Sequence, residues 1–350
     1  MQEETDKSNE APGWDAIDAA LRPIYGDREP YHVGTIIPYA LGGPDPIHGI
    51  SAYPNSEPQS HWHFVTYGLS KLWAKESSDR DVSGFGFELT FRPTRKAGEK
   101  KPPNWALNFL QNLGRYVFET GHGFGVGHTL PLNGPIEQGS STLIHGVSFL
   151  SDPQLPAIAT PNGRVEFLQV VGLTLDEMEA ISSWNAAAFL ELRSHEDPYL
   201  FTDLSRASWL ANQLFAAKVA HRSKEEGSSC GWLELILECD TSNHPIRVRI
   251  QTIAVDVLKR RLLSRLPYGR DFILNGKNAL VAFRPGNRSG VKLIEDAVDI
   301  MLREEHLVEL AKSLQPHSGL YSVPGVKDLV LEVLKTEIQD ADGKVVDIVE

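Results

Sequence analysis

The stretch "SGFGFELTFR", Ser83–Arg92, sets the class of fold. Written as an extended strand it divides into two faces, because successive side chains of a strand point to opposite sides. Phe85, Phe87, Leu89 and Phe91 share one face; Gly84, Gly86, Glu88, Thr90 and Arg92 share the other. Burying a phenylalanine contributes roughly 1.5–3 kcal/mol, so the aromatic face belongs to a core. Glycine weakens a strand unless a bulge or a closely approaching backbone needs the space. Gly84 and Gly86 are therefore expected to let another segment of the same domain pack closely.

Outward from this strand, helices and strands follow one another without a regular βαβ alternation. Trp14–Ile24 has helical spacing of its apolar residues, His32–Ala40 reads as a strand and Gly42–Pro46 as a turn. "HWHFVTYGLSKLW" starts as another strand. After Pro102 and Pro103 comes a helix whose stripe is Trp105, Phe109, Leu110, Leu113, Tyr116 and Val117, stopped by Gly121. Gly121–Ser140 is a long Gly- and Pro-rich loop, of a length that often carries function inside a compact domain. Strands follow at Thr142–Phe149 and Arg164–Gly172. "TLDE" from Thr174 resembles a capping box, and its helix runs, with a break, to about Leu192.

Beyond the polar stretch His221–Ser229, "CGWLELILEC" reads as one strand in a hairpin with "PIRVRIQTI". A helix spans Ala254–Leu266, "RDFILNG" pairs with "NALVAFRPG", and two last strands flank "DADG", Asp340–Gly343. The expected class is α+β: two domains with mixed, largely antiparallel sheets flanked by helices. Residues 1–13 read as a flexible tail, 14–222 as the first domain, 223–228 as a linker and 229–350 as a smaller second domain.

The 350 residues carry 34 Lys and Arg against 46 Asp and Glu, a formal charge of −12. That balance argues against general affinity for nucleic acid, which relies on clustered basic residues. The absence of an eighteen-residue apolar run argues against a membrane helix. Without an apolar leader at the N-terminus, the cytoplasm is the expected compartment. Cys230 and Cys239, nine apart, have no metal or redox spacing and read as ordinary buried residues of an apolar strand.

Two features point toward catalysis. His61 and His63 lie two apart on a strand and share a face, so a third ligand from His122, His128 or His145 would complete a zinc site. "GHGFGVGH", Gly121–His128, has glycines but follows a helix and precedes "TLPLNGP", the wrong context for a phosphate cradle. Neither HExxH, GxSxG nor GxxxxGK[ST] occurs. No cofactor is expected.

Six segments, in order, resemble the Suppressor of fused family: "YALGGPDPIHGISAY", "HWHFVTYGLSKLW", "SGFGFELTFR", "LGRYVFETG", "SDPQLPAIATPNGRVEFLQVVGLT" and "WNAAAFLELR". The likeness covers Trp14–Asp203 and is fainter from Trp232 onward. It implies binding without catalysis. Animal members of that family hold zinc-finger transcription factors of the Hedgehog pathway, taking a short peptide as an added strand between two domains. Their peptide-contacting Tyr and Phe match Tyr116 and Phe124, while their acidic contact falls on His128. The animal insertion between the domains is missing, which resembles the compact bacterial members, some of them proposed to be toxin-neutralising immunity proteins. The resemblance thus implies a cytoplasmic module that captures a peptide or protein in an inter-domain cleft, with Tyr116, Phe124 and His128 at the site. The alternative from the residues alone is a metal-dependent hydrolase using His61, His63 and a third histidine.

Overall fold

The computed structural model describes residues 11–73, 81–295, 297–339 and 345–349. The first ten residues of the expected tail and the "DADG" turn lie outside them. Contacts divide the chain into two units, residues 1–179 with 186–212, and residues 180–185 with 213–350.

The first unit opens with α1 (Pro12–Tyr25), begun by a proline near its first position where no N–H is needed. Then come β1 (Tyr31–Gly34), β2 (Gly49–Asn55), β3 (His61–Tyr67), β4 (Val82–Phe91), α2 (Asn104–Thr120), β5 (Thr129–Pro131), β6 (Ile144–Ser151), β7 (Ile158–Thr160), β8 (Gly163–Thr174), α3 (Leu175–Ser183), whose residues from Ala180 belong to the second unit, and α4 (Ala186–Ser194). Among the described residues the strands form one sheet in the order β1-β2-β3-β4-β8-β6-β5, with β7 on β8. Only β4 and β8 run parallel. The expected strand His32–Ala40 is shorter: pairing with β2 ends at Gly34, and Tyr39–Leu41 coils into a 3-10 turn ahead of left-handed Gly42. At the capping box, the Thr174 N–H donates to Glu177 Oε2 at 2.9 Å.

The sheet buries both faces. Phe87, Leu89 and Phe91 pack with Phe109, Leu110, Leu113 and Val117 of α2. On the reverse, Ile17, Leu21 and Tyr25 of α1 join Tyr53, Val65, Tyr67 and Phe167. The glycines of the opening stretch differ in their reasons. Gly84 has φ +61°, and a Cβ there would lie 2.7 Å from the Leu69 carbonyl oxygen, which accepts the Phe85 N–H at 2.9 Å. The closely packed segment is therefore the Leu69–Lys71 backbone. Gly86, at φ +85°, sits in the irregularity between Val82 and Phe87 where the register with β8 shifts. Its requirement is backbone conformation.

The face opposite the phenylalanines carries buried charge. Glu88 accepts from Thr66 Oγ1 (2.7 Å), the Gly68 and Ser70 N–H groups (both 2.9 Å) and Ser70 Oγ (2.6 Å), tying down the turn after β3. Burial pushes its carboxyl up, against those hydrogen bonds. Arg92 and Asp152 are both fully buried; Arg92 donates from NH1 to Oδ2 at 2.5 Å and from NH2 to Oδ1 at 3.0 Å. Arg92 also reaches Gln169 Oε1 at 2.7 Å, and Thr90 Oγ1 donates to Asp152 at 2.5 Å. His63 completes the set, with Nδ1 2.6 Å from the Tyr25 hydroxyl and Nε2 3.6 Å from Asp152 Oδ2.

The second unit contains α5 (Gln213–Glu226), β9 (Trp232–Glu234), β10 (Leu237–Asp240), β11 (Ile246–Gln251), α6 (Val255–Arg265), β12 (Phe272–Asn275), β13 (Leu280–Pro285), β14 (Gly290–Ile294), β15 (Ala297–Leu302), α7 (Glu304–Ser313), β16 (Gly319–Val323), β17 (Val326–Leu334), β18 (Thr336–Gln339) and β19 (Val345–Val349). Among the described residues these form three mixed or antiparallel sheets: β10-β11-β17-β16, β14-β15-β13-β12-β9 and β18-β19. Val248, Ile250, Phe283 and Ile300 share a core with Leu258 and Leu262 of α6 and Leu307 and Leu310 of α7. The whole is α+β. "CGWLELILEC" is two strands, because β9 pairs with β12 and β10 with β11, in different sheets. The polar residues 221–226 are helical, as the end of α5.

The buried ion pair makes a sharp prediction. Asp152→Ala strands a buried guanidinium and is expected to cost about 3–5 kcal/mol in chemical denaturation. Asp45→Ala, at the partly exposed Arg115–Asp45 pair, should cost no more than about 1 kcal/mol. A second prediction concerns pH. Burial, with the Arg92 charge, lowers His63 to about 4. The unfolded chain therefore takes up this proton first as pH falls below about 6.5. Stability from neutral His63 is complete above that value and drains away toward pH 4, by roughly 3 kcal/mol. Subtracting the profile of His63→Gln from that of the wild type should isolate this slope; parallel profiles between pH 4 and 6.5 would refute it.

Candidate functional site

The three residues singled out for binding lie along one path at the end of α2. The helix stops at Gly121, left-handed at φ +71°, whose N–H returns to the Val117 carbonyl at 2.9 Å. Val117 is fully buried, whereas Tyr116 is 40% exposed. Tyr116 therefore leaves the apolar stripe and faces outward. Its ring stacks on Phe124, with centroids 5.5 Å apart and planes 8° apart. Phe124 stacks in turn on buried Phe149 of β6 at 4.1 Å. Three rings thus run from the surface into the core.

Glycine and backbone bonding hold Phe124 in place. A Cβ on Gly123 would stand 3.0 Å from Phe87 Cε1, so glycine lets the loop lie on that ring without displacing it. The Gly127 N–H donates to the Phe149 carbonyl at 2.8 Å, and the His128 N–H closes a turn onto Gly125 at 3.0 Å. His128 is exposed, with its imidazole over Gly125. Its carbonyl accepts from the Phe149 N–H at 3.2 Å and from Ser148 Oγ at 2.8 Å. The structure therefore brings Tyr116 and Phe124 into contact and sets His128 at the start of β5.

β5 is the end strand of its sheet. The bonds at His128 and at Leu132, whose N–H donates to the His145 carbonyl at 2.8 Å, fix the alternation. Thr129 and Pro131 stand opposite Ser148 and Gly146, and their backbone groups turn away from β6. Beside this edge, a groove of about 680 Å³ runs between α2 and the 130–139 loop, lined by Asn112, Tyr116, Leu130, Leu132 and Ile136 among others. Sequence reading missed this strand and groove. "TLP" is three residues long, flanked by glycines, and carries a proline that only an edge accommodates.

His61 and His63 sit apart from this path. The His61 Nδ1–H is 2.8 Å from the Gln59 carbonyl and its ring lies against Phe201, while His63 is buried against Tyr25 and Asp152. Among the described residues no three His, Cys, Asp or Glu side chains form a metal-ligand set. Cys230 and Cys239 are unpaired and partly buried, and burial pushes the Cys239 thiol up to about 11. No helix among the described residues is long and apolar enough to cross a membrane.

The chain is similar to known proteins. The sequence profile of the Suppressor of fused protein family matches residues 43–207. The human and mouse Suppressor of fused homologs are each 38% identical over 209 residues, which is 55% of this chain and 43% of theirs. The chain thus matches less than half the length of these curated relatives. The crystal structure of Drosophila Suppressor of Fused aligns with a TM-score of 0.77 over 93% of this chain and 97% of that one, at 21% identity, and so speaks for the fold. A chain in the crystal structure of a Sufu–Fu complex is 32% identical, covered over 98% of its length and over 61% of this one, with a TM-score of 0.56. On the matched residues and the 32% identity to that almost fully covered chain, the chain belongs to the Suppressor of fused family.

Proposed function

We propose that this chain is a non-enzymatic, cytoplasmic protein-binding module that takes an extended peptide segment of its partner onto the outer edge of β5. The observation that carries the reading is the open edge standing beside an exposed aromatic stack, with the groove of α2 alongside. Added strands bind by backbone hydrogen bonds and gain specificity from pockets for alternate side chains. Tyr116 is a rigid aromatic anchor that loses little side-chain freedom on binding, because Phe124 already holds its ring. The related chain solved in the Sufu–Fu complex supports a protein as the ligand class. Unpaired cysteines accord with a reducing compartment.

His128 shapes what the peptide can carry. An imidazole supplies no negative charge, so the site has no fixed acid at this position to attract a basic side chain. An acidic or neutral group beside the start of the added strand fits it better. A toxin surface would make the module an immunity protein, and identification of the captured partner decides between that and a regulatory peptide. The hydrolase reading has no structural observation in its favour.

Affinity capture from the native organism's lysate tests the proposal, using wild type, Tyr116→Ala and His128→Ala. Tyr116→Ala is expected to weaken retention of the partner by roughly 30-fold or more, the scale of an interface hot spot. Its folding stability should change by no more than about 1 kcal/mol, because the ring is substantially exposed. Equal retention by wild type and both variants would remove the proposal.

A further inference from the structure

In the second unit, three arginines converge on the turn between α5 and β9. Arg261 and Arg265, one helical turn apart on α6, are only 8% and 9% exposed, and Arg270 follows after the 3-10 turn at Leu266–Tyr268. Their acceptors are uncharged. Arg265 NH1 and Arg270 NH1 both donate to the Ser228 carbonyl, at 2.7 and 3.0 Å, and Arg265 Nε donates to the Asp271 carbonyl at 2.7 Å. Arg261 NH1 donates to the Ser182 carbonyl and to Ser228 Oγ at 3.2 Å, while its buried Nε has no hydrogen-bond partner.

The neighbouring carboxylates make their ion pairs with other cations, while Glu226 also feels the Arg270 charge and Asp271 the Arg265 charge. Asp271 pairs with Arg284 at 2.6 Å, and Glu226 pairs with Arg222 while accepting from Trp184 Nε1 at 2.8 Å. Buried charge without a hydrogen-bonded counter-ion is costly, so the two buried guanidiniums, with exposed Arg270 beside them and only neutral acceptors, are an unbalanced arrangement. Burial lowers both Arg261 and Arg265 from their ordinary value, and the Arg270 charge lowers Arg265 further. Beside them opens a cavity of about 290 Å³, lined by Asn185, Glu226, Gly227, Ser229, Arg265 and Arg270.

We propose that this cavity binds a small dianion of the phosphate class, held by Arg265 and Arg270 with Ser229 alongside. The remaining guanidinium N–H groups of Arg270 make no hydrogen bond among the described residues, and a planar guanidinium fork matches two phosphate oxygens. The volume suits one phosphoryl group with a small substituent. Binding would neutralise the mutual repulsion of the three arginines and fasten the α5–β9 turn to α6. The site is independent of the β5 edge, which lies in the other unit.

The test uses the full chain, with calorimetric titration and thermal melting in inorganic phosphate and, separately, in glycerol 3-phosphate. Sodium chloride at matched ionic strength is the control. Saturation in the calorimetric titration separates binding at the site from the general stabilisation that phosphate gives folded proteins by exclusion from their surface. Saturable binding and a raised melting temperature in either arm are expected, and the tighter arm distinguishes free phosphate from a monoester. Arg270→Gln, at an exposed position, should weaken binding roughly 10–100-fold, the scale of a lost charge-assisted bond, without unfolding the protein. Arg249→Gln, on the distant Glu332 pair, should leave it unchanged. Melting curves in both anions that match the chloride control, or binding that survives Arg270→Gln, would overturn the proposal.

Discussion

The buried pair of Arg92 and Asp152 is the constraint around which the first unit is arranged. Two charges taken fully out of water are tolerable only when geometry and further hydrogen bonds compensate. Here the compensation comes from many elements at once. Arg92 follows β4, Asp152 follows β6, Gln169 belongs to β8, His63 to β3 and Tyr25 to α1. Asp152 Oδ1 also accepts the Gln154 and Leu155 N–H groups at 2.8 and 2.9 Å, which fixes the chain as it leaves β6. Burial by itself would raise the Asp152 carboxyl, and the Arg92 charge beside it overrides that and holds it far below the usual range. Such a network contributes specificity of register, because each strand must present one polar group at one place.

Much of this architecture was legible in the residues. The alternation in Ser83–Arg92 predicts a two-faced strand, and β4 is one. The stripe of α2 and the stop at Gly121 are where the spacing puts them, since helical periodicity and a left-handed terminal glycine are local signals. Less local features were hidden. β2 contains no long apolar run and is a strand because β1 and β3 flank it. The two halves of "CGWLELILEC" part because partners from distant sequence claim them separately. Pairing partners, and hence sheet membership, are not written in either half.

The candidate site was legible in part. Tyr116, Phe124 and His128 came from resemblance, and the sequence could not show that the first two stack or that Tyr116 leaves the stripe of its helix. The ring of Phe149 beneath them lies in an ordinary-looking strand, 25 residues beyond Phe124 in the sequence. Glycine was the available signal: Gly123 and Gly127 mark where the loop must lie on Phe87 and bond to Phe149. His61 and His63 do share a face, but that face looks into a hydrogen-bonded core.

Pro131 gives the edge of β5 a polarity. Of the two residues whose backbone turns outward, Thr129 offers one N–H and one carbonyl, and Pro131 offers a carbonyl alone. The edge is therefore richer in acceptors than in donors. Two such edges brought together would face each other with too few N–H groups, so the strand is a poor template for self-association into extended sheets. A foreign strand with a complete set of donors meets no such shortage. The same missing hydrogen that keeps the strand short thus protects the protein from its own copies and leaves the edge open to something else.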